Sequence, residues 1–453
     1  MRRLYHQVKT MDFQHSPEQL LQAAAQALDW AKRGGATAAE AELSESLGQS
    51  VQVRLQQTEQ IEHREDKSLD ITVYVGQRKG SASTADLSPE ALQSTVRAAL
   101  DIARYTAEDD CAGLADAEQM AQVFGDLDQD HPWQLSTEAA LEQAQRCEAA
   151  ALAQDERVSN SEGAAVHTGR FQYVYGNSHG FLQHRCGTRH SISCSVVAAQ
   201  NGQMERDYWY DTACDAAALE QVEHIGRTAA ERALSRLGAR SVPTGSYPVL
   251  FDRTVSGSLI GHVVGALSGG ALYRRNSFLC DSLGKRILPE WLQLREEPHL
   301  PRVIGSTYFD AEGVATQART VIDGGVVQGY FLGSYSARKL GMKSTGNAGG
   351  AHNLHLNATC ADQAALLQQM GSGLLITELM GQGVNLLTGD YSRGAAGFWV
   401  ENGEIAYPVS GITIAGRLPD MLLNIAATAD DALRRTSGKI GSVLVSEMTV
   451  AGA

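Results

Sequence analysis

Apolar positions along this chain change their period several times, and each change marks an element. From Ser16 to Arg33 the run "SPEQLLQAAAQALDWAKR" repeats at helical spacing. Ser16 is placed to cap it, Pro17 suits the first helical position, Gln19 completes a capping box, and Gly34-Gly35 stops it. The period then drops to two in "SVQVRLQQ", "SLDITVYVG" and "RKGSASTA", which predicts neighbouring antiparallel strands. Ser88-Pro89 opens a second helix through about Tyr105, and an acidic, irregular stretch follows near 106–132.

The same grammar then repeats. Ser136 caps a helix through roughly Ala153, followed by the alternating runs "RFQYVYG", "GFLQHRCG", "HSISCSVVAAQ" and "QMERDYWYD". Asn201-Gly202 is a hairpin turn of the primed type. "AALEQVEHIGRTAAERALSRLG" closes this unit as a helix, and "GARSVPTGSYP" reads as a linker. The echo suggests an internal structural duplication. From Tyr247 glycine becomes dense, with hairpins expected at Asp323-Gly324 and Asn402-Gly403 and a helix "ADQAALLQQM" ended by Gly371. The expected fold is α+β: two helix/antiparallel-strand units (1–126 and 127–240) followed by a glycine-rich, mostly β C-terminal domain (245–453).

Composition narrows the class. At 453 residues, with 43% hydrophobic and 20% charged residues, the chain reads as a soluble globular protein of more than one domain. Its net charge of −14 and the lack of any Lys/Arg run argue against direct nucleic-acid binding. Seven scattered cysteines form no C-x-x-C pair, which argues against a zinc ribbon or a disulfide framework and for a reducing compartment. "MRRLYHQVKTMDF" carries no apolar core behind its arginines, and no run approaches the ~20 apolar residues of a membrane span. The expectation is a cytoplasmic protein with no membrane contact.

Several short motifs carry candidate chemistry. "GNSHG" matches the G-x-S-x-G nucleophile elbow at Ser178, but the alternating residues after it favour a hairpin turn over the helix an elbow needs. His352, His355 and Cys360 in "GGAHNLHLNATC" could supply metal donors, although a loop and strand there would turn the two histidines to opposite sides. "TGDYSRGAAGFWV" places Asp390 and Arg393 in a glycine-rich turn ahead of a strand. Arg393 could hold a carboxylate there, or simply contact Asp390.

The most unusual stretch is "SGSLIGHVVGALSGG", residues 256–270. Val255, Leu259, Ile260, Val263, Val264 and Leu267 form one helical apolar face, while Gly257, Gly261, Gly265 and Gly269 form a smooth ridge beside it. Each interior glycine costs about 0.5–1 kcal/mol relative to Ala, so the ridge predicts close approach of another backbone. Thr254, Ser258 and His262 make a third, polar stripe, with no local carboxylate to orient the imidazole.

"GSLIGHVVGALSGGALYRRNSFLCDSLGK", "YSARKLGMKSTGNAGGAHN", "ITELMGQGV" and "GDYSRGAAGFWVENGEIAYPV" together resemble the PmbA/TldE-type subunits of the TldD/PmbA metalloprotease family, formerly labelled modulators of DNA gyrase. The resemblance covers essentially the whole chain and is strongest from about 245 onward. It implies a two-part protease. The TldD-type subunit carries H-E-x-x-x-H on a helix and a later Cys in C-G-K-x-G-Q, which bind zinc, with the Glu as general base. Carried onto this chain, His262 falls at the second histidine, Gly257 at the first, and Ser258 at the glutamate; "SGKIGS" puts Ser437 at the thiolate. Residues five apart on a regular helix are separated by about 140°, so such a motif needs a local distortion that Gly261 would ease.

The resemblance therefore implies a chain with no cofactor of its own, His262 being the one surviving ligand, and zinc in a TldD-type partner. The expected role is a catalytically degenerate subunit of a heterodimeric metallopeptidase, a hydrolase that cleaves flexible peptides such as precursor leaders and unstable antitoxins. His262, Asp390 and Arg393 are the candidate substrate contacts. A homodimer in isolation is a further expectation. Two alternatives stand beside it: an autonomous hydrolase using Ser178, Ser258 or Cys280, and a non-enzymatic binding protein of the gyrase-modulator type.

Overall fold

Helix α1 (Pro17–Arg33) begins at the capping box read from the sequence: Ser16 Oγ accepts from the Gln19 N–H while the Gln19 side chain accepts from the Ser16 N–H. The computed structural model describes residues 12–452, so the terminal stretch through Met11 considered for a targeting signal lies outside it. Strands β1 (Ala38–Arg54), β2 (Gln57–Val75) and β3 (Arg78–Thr84) form an antiparallel meander covered by α1 and α2 (Pro89–Tyr105). Helix α3 (Thr137–Leu152), strands β4 (Val158–Asn177), β5 (Leu182–Gln200) and β6 (Gln203–Ala213), and helix α4 (Val222–Ser235) repeat that arrangement. The two meanders join edge to edge through β1 and β4, giving one six-stranded sheet in the order β3-β2-β1-β4-β5-β6.

These strands are fewer and longer than the alternation predicts. β5 runs straight through Gly187, where two separate strands were expected. Phe171 of β4 pairs with Gly187 and lays its ring across it, replacing the missing side chain. The β1–β2 hairpin reverses at Leu55-Gln56, inside the run "SVQVRLQQ", with φ of 48° and 64°. The fully buried carboxylate of Glu148 on α3 accepts from both turn N–H groups, at 2.8 and 2.7 Å, and so holds this strained backbone in place.

The C-terminal part opens with β7 (Gly245–Phe251), α5 (Ser256–Ala266) and α6 (Gly269–Tyr273). A small sheet follows, made of β8 (Leu294–Glu296), β9 (Arg319–Asp323), β10 (Val326–Val327) and, after helix α7 (Ser334–Lys339), β11 (Leu354–Leu356). Its hairpin turns at Gly324-Gly325, one residue beyond the predicted position. Helix α8 (Gln363–Met370) then leads into β12 (Gly373–Met380), β13 (Val384–Asn385) and β14 (Asp390–Glu401). Last come β15 (Glu404–Arg417), α9 (Leu418–Leu423), β16 (Ile425–Thr428) and β17 (Val443–Ala451). Asn402-Gly403 turns β14 into β15 with both residues at positive φ, as predicted, and Asn201-Gly202 does the same between β5 and β6.

The strands of this part pair in the order β12-β7-β17-β15-β14, and β12 also pairs with β14, so five strands close into a ring. One face of the ring, including Val249, Phe251, Leu374 and Ile376, shares a core with Leu259, Ile260 and Val263 of α5. The other face, including Leu250 and Leu375, packs on Leu366 and Met370 of α8. The architecture is thus α+β with a mostly β C-terminal region. The acidic stretch at 106–132 straps the two parts together: Arg338 on α7 donates to the carbonyls of Cys111, Gly113 and Leu114, and Arg302 pairs with Asp128 at 2.5 Å.

Helix α4 crosses α3 so closely that a Cβ on Gly226 would lie 2.0 Å from the Cys147 carbonyl oxygen. Gly226→Ala is therefore expected to destabilise the chain by about 1–3 kcal/mol, read as a lowered urea midpoint. An unchanged midpoint would mean that the two helices are not held at this distance.

Candidate functional site

Helix α5 exists because its apolar stripe has a complete partner: Leu259, Ile260, Val263 and Ala266 are all buried against the strand ring. It stops at Ala266, earlier than the spacing predicts. The Phe331 backbone bonds to Leu267 O and accepts from the Gly269 N–H, so a short bridge to Ser268 interrupts the helical ladder before α6 resumes it. Tertiary hydrogen bonding overrides local propensity here.

The glycine ridge is correspondingly split. A Cβ on Gly269 would collide with Ser336, and one on Gly265 would press on Leu386. Gly257 and Gly261, however, are exposed, and a Cβ on either would meet nothing within 4 Å. The single continuous packing ridge expected from the sequence is a correct description of its C-terminal half alone.

His262 lies half-buried on the side of α5 that faces β14. Its ring meets Tyr391 edge-on, with centroids 5.9 Å apart, and its Nε2 is shielded from solvent without a hydrogen-bond partner. Arg393, two residues along the same strand and so on the same face as Tyr391, completes the surroundings. Burial and, secondarily, the Arg393 charge hold the imidazole below its ordinary pKa of 6.5. Burial pushes the Tyr391 phenol up to about 12, against the opposing pull of Arg393.

Zinc of the catalytic kind needs three protein ligands. Among the described residues, the one cluster of converging His, Cys, Asp or Glu donors is Asp109, Asp110 and Cys111, and Lys339 already pairs with both of those carboxylates. His262 belongs to no such cluster. Gly257 and Ser258 offer no imidazole or carboxylate, and a guanidinium close by disfavours a second cation. The residues around His262 do not fit a catalytic zinc. Ser437 is exposed and lies against Gly305 rather than His262, although its neighbour Thr436 and Ser258 line one common cavity.

The other sequence candidates separate in space. "GNSHG" is a hairpin turn between β4 and β5 with no helix after it, as the alternation predicts, and Ser178 Oγ accepts from the Ala39 N–H at 3.1 Å. The Ser258 hydroxyl donates to Val255 O at 2.7 Å and not to His262. Cys280 contacts Leu272 O at 3.9 Å, which gives it no base. His352 Nε2 meets Gly346 O at 3.0 Å while His355 sits on β11, and neither joins Cys360 in a donor cluster. Asp390 and Arg393 stand within β14, not in a turn ahead of it. Three positions apart on a strand they point to opposite faces, so the expected contact between them gives way to Thr388–Asp390 and Arg393–Leu379 bonds. Sequence reasoning missed Tyr391, although it lies inside "TGDYSRGAAGFWV", and Arg435, because their partners His262, Trp209 and Tyr210 stand on elements distant in sequence.

Two expectations follow. Gly257→Ala and Gly261→Ala should each stabilise the isolated chain, by about 0.5–1 kcal/mol, because helix propensity improves and no clash results; a lower melting temperature would show that these positions are filled. His262 has a depressed folded pKa, so its contribution to stability is present above the ordinary value of 6.5 and is lost as pH falls through the folded value. By NMR, its titration midpoint is expected below 6.5, and His262→Gln should soften the acid limb of the stability curve. A midpoint above 6.5 would contradict the burial argument.

Three family signatures span the chain: PmbA/TldA metallopeptidase domain 1 over residues 39–103, the central domain over 130–237 and the C-terminal domain over 244–452. Metalloprotease PmbA of Escherichia coli O157:H7 is 51% identical over 433 residues, 96% of each chain. The PmbA homolog of Haemophilus influenzae is 47% identical over 436 residues, again 96% of each. A solved structure from Bacteroides thetaiotaomicron, described as a modulator of DNA gyrase, matches with a TM-score of 0.92 at 30% identity, covering 97% of this chain and 100% of the other. TldE from Thermococcus kodakarensis, 19% identical with a TM-score of 0.83 over 95% of this chain and 100% of its own, shares the fold. With relatives named metalloproteases along its full length, the chain belongs to the PmbA/TldD metallopeptidase family.

Proposed function

We propose that this chain is the PmbA/TldE-type subunit of a heterodimeric zinc metalloprotease that cleaves flexible peptides. The catalytic zinc and its general base reside in a TldD-type partner, and this chain helps to form the substrate cleft. One observation carries the reading: at the family's motif helix, Gly257 and Ser258 replace the first histidine and the glutamate, leaving His262 beside Tyr391 and Arg393. A neutral imidazole against a guanidinium and a protonated phenol suits the wall of a cleft better than a metal centre. The cleft would take leader segments of peptide precursors or unstable antitoxins, whose extended backbones bury little on their own. Seven unpaired cysteines accord with a cytoplasmic location, and among the described residues no helix is long and apolar enough to cross a membrane.

A second reading, a non-enzymatic binding protein, draws on the description of the Bacteroides relative as a modulator of DNA gyrase. An autonomous hydrolase has no such support, since among the described residues the side chains of Ser178, Ser258 and Cys280 meet backbone groups and not a base.

Zinc content and peptide hydrolysis of the purified chain, alone and mixed with a TldD-type protein, test these readings. The single chain, free or as a homodimer, is expected to hold far less than one zinc and to leave an unfolded peptide intact. The mixture should hold one zinc per pair and cleave it. Equimolar zinc with robust proteolysis by the single chain would overturn the proposal. Tight partner binding without cleavage by the pair would favour the second reading.

A further inference from the structure

Between β6 of the N-terminal sheet and the α5/β14 side of the C-terminal ring lies a cavity of about 420 Å³, within the ~300–1,000 Å³ range of small-ligand sites. Six arginines line it, in a chain whose net charge is −14. Three of them are neutralised: Arg206 pairs with Glu162 at 3.0 Å, Arg232 with Asp207 at 3.1 Å, and Arg236 with Asp207, Glu205 and Glu378. The other three, Arg253, Arg393 and Arg435, form no ion pair among the described residues. Their guanidiniums donate to the backbone carbonyls of Asp431, Leu379 and Tyr210 respectively, and Arg393 also lies beside the Tyr391 phenol.

Two further features separate this cluster from a solvated charge patch. The Nε–H groups of Arg393 and Arg435 are shielded from solvent and have no acceptor. The Arg435 guanidinium lies over the rings of Tyr210 and Trp209, 3.9 and 4.0 Å from their centroids, so these rings hold it in place where an ion pair would have used up its charge. A buried, oriented donor without an acceptor is unfavourable unless a ligand completes it. The cavity is also far larger than a bare inorganic oxyanion, and its walls include the apolar surfaces of Tyr208, Val255 and Leu379 beside the cationic centre.

We propose that this cavity is a carboxylate-recognition site: Arg253, Arg393 and Arg435 take a carboxylate carried on a peptide, and the apolar walls take the residue that bears it. The carboxylate is either the peptide's free C-terminus or an acidic side chain. The proposal rests on the peptide-binding role argued above and adds a residue-level preference to it. Arg393 also faces His262, so the site adjoins the degenerate motif helix, where Thr254, Val255 and Ser258 supply its rim.

Fluorescence anisotropy on the full-length chain tests this with a labelled, unstructured hexapeptide ending in a free acid, its C-terminal amide, and a version of each with one internal Glu. Loss of a charge-assisted bidentate contact is expected to weaken binding at least about tenfold, so one of the two acid sources should prevail by that factor. Arg393→Gln and Arg435→Gln should abolish the preference. Arg253→Gln, at an exposed position, should weaken it, and Arg206→Gln, already paired with Glu162, should leave it in place. Equal binding of all four peptides, or tighter binding of inorganic phosphate than of any peptide, overturns the proposal. If the preference is absent while the reconstituted pair still cleaves, the cavity assignment fails and the protease reading stands. If the preference persists while the pair does not cleave, the carboxylate site stands and the protease reading fails.

Discussion

Pairing of β12 with β14 is the constraint on which the C-terminal architecture depends, because it turns an open sheet into a closed ring. The two backbones approach so closely that a Cβ on Gly397 of β14 would lie 1.9 Å from Leu375 O of β12. That position therefore has to be glycine if the ring is to close. Closure gives the ring two faces with separate cores, one for α5 and one for α8. It also sets the rotation of β14 that turns Tyr391 toward His262 and brings Arg393 within reach of Leu379 O. Tyr391 and Arg393 inherit their positions from that one pairing.

The chemistry around α5 follows from charge as much as from missing ligands. A metal centre accumulates donors that carry or share negative charge, whereas the surroundings of His262 are a buried phenol and a guanidinium. The same Arg393 that disfavours a cation there contributes to the proposed carboxylate site a short distance away. One arginine thus links His262 on α5 to a cavity whose lining suits the opposite sign of charge.

The N-terminal sheet is joined to this region by side chains as well as by the strap. Arg236 on the C-terminal end of α4 pairs with Asp207 of β6 and reaches Glu378 of β12, so one guanidinium spans both sheets. Arg435 repeats the link by stacking on β6 aromatics. Within the sheet, the Tyr74 and Tyr175 hydroxyls donate to Glu40, and Tyr173 donates to Glu42, so these half-buried glutamates on β1 find donors within the protein. Burial raises the pKa of both carboxyls even so. An alternating Ala/Glu segment is a poor strand signal by itself, and this network is why "AEAELSES" is strand nonetheless.

Local rules were enough wherever the physics is local. The caps at Ser16, Ser88 and Ser136, the positive-φ turns at Asn201-Gly202 and Asn402-Gly403, and the apolar stripe of α5 all depend on neighbours within a few residues, and all were legible in the sequence. So was the α+β class, together with the family, because long matching segments carry more information than any short motif. Tertiary structure alone decided which glycines pack: Gly226 and Gly269 meet another element, while Gly257 and Gly261, identical in local pattern, face open space. It alone carried β5 through Gly187, by supplying the Phe171 ring, and broke the predicted long helix at Ser268, by supplying the Phe331 backbone. It alone gathered Arg253, Arg393 and Arg435 from three distant segments into one cavity. Period and capping report what a residue does to its own stretch of chain; what stands opposite it across the fold is set by long-range packing, and no local pattern records that.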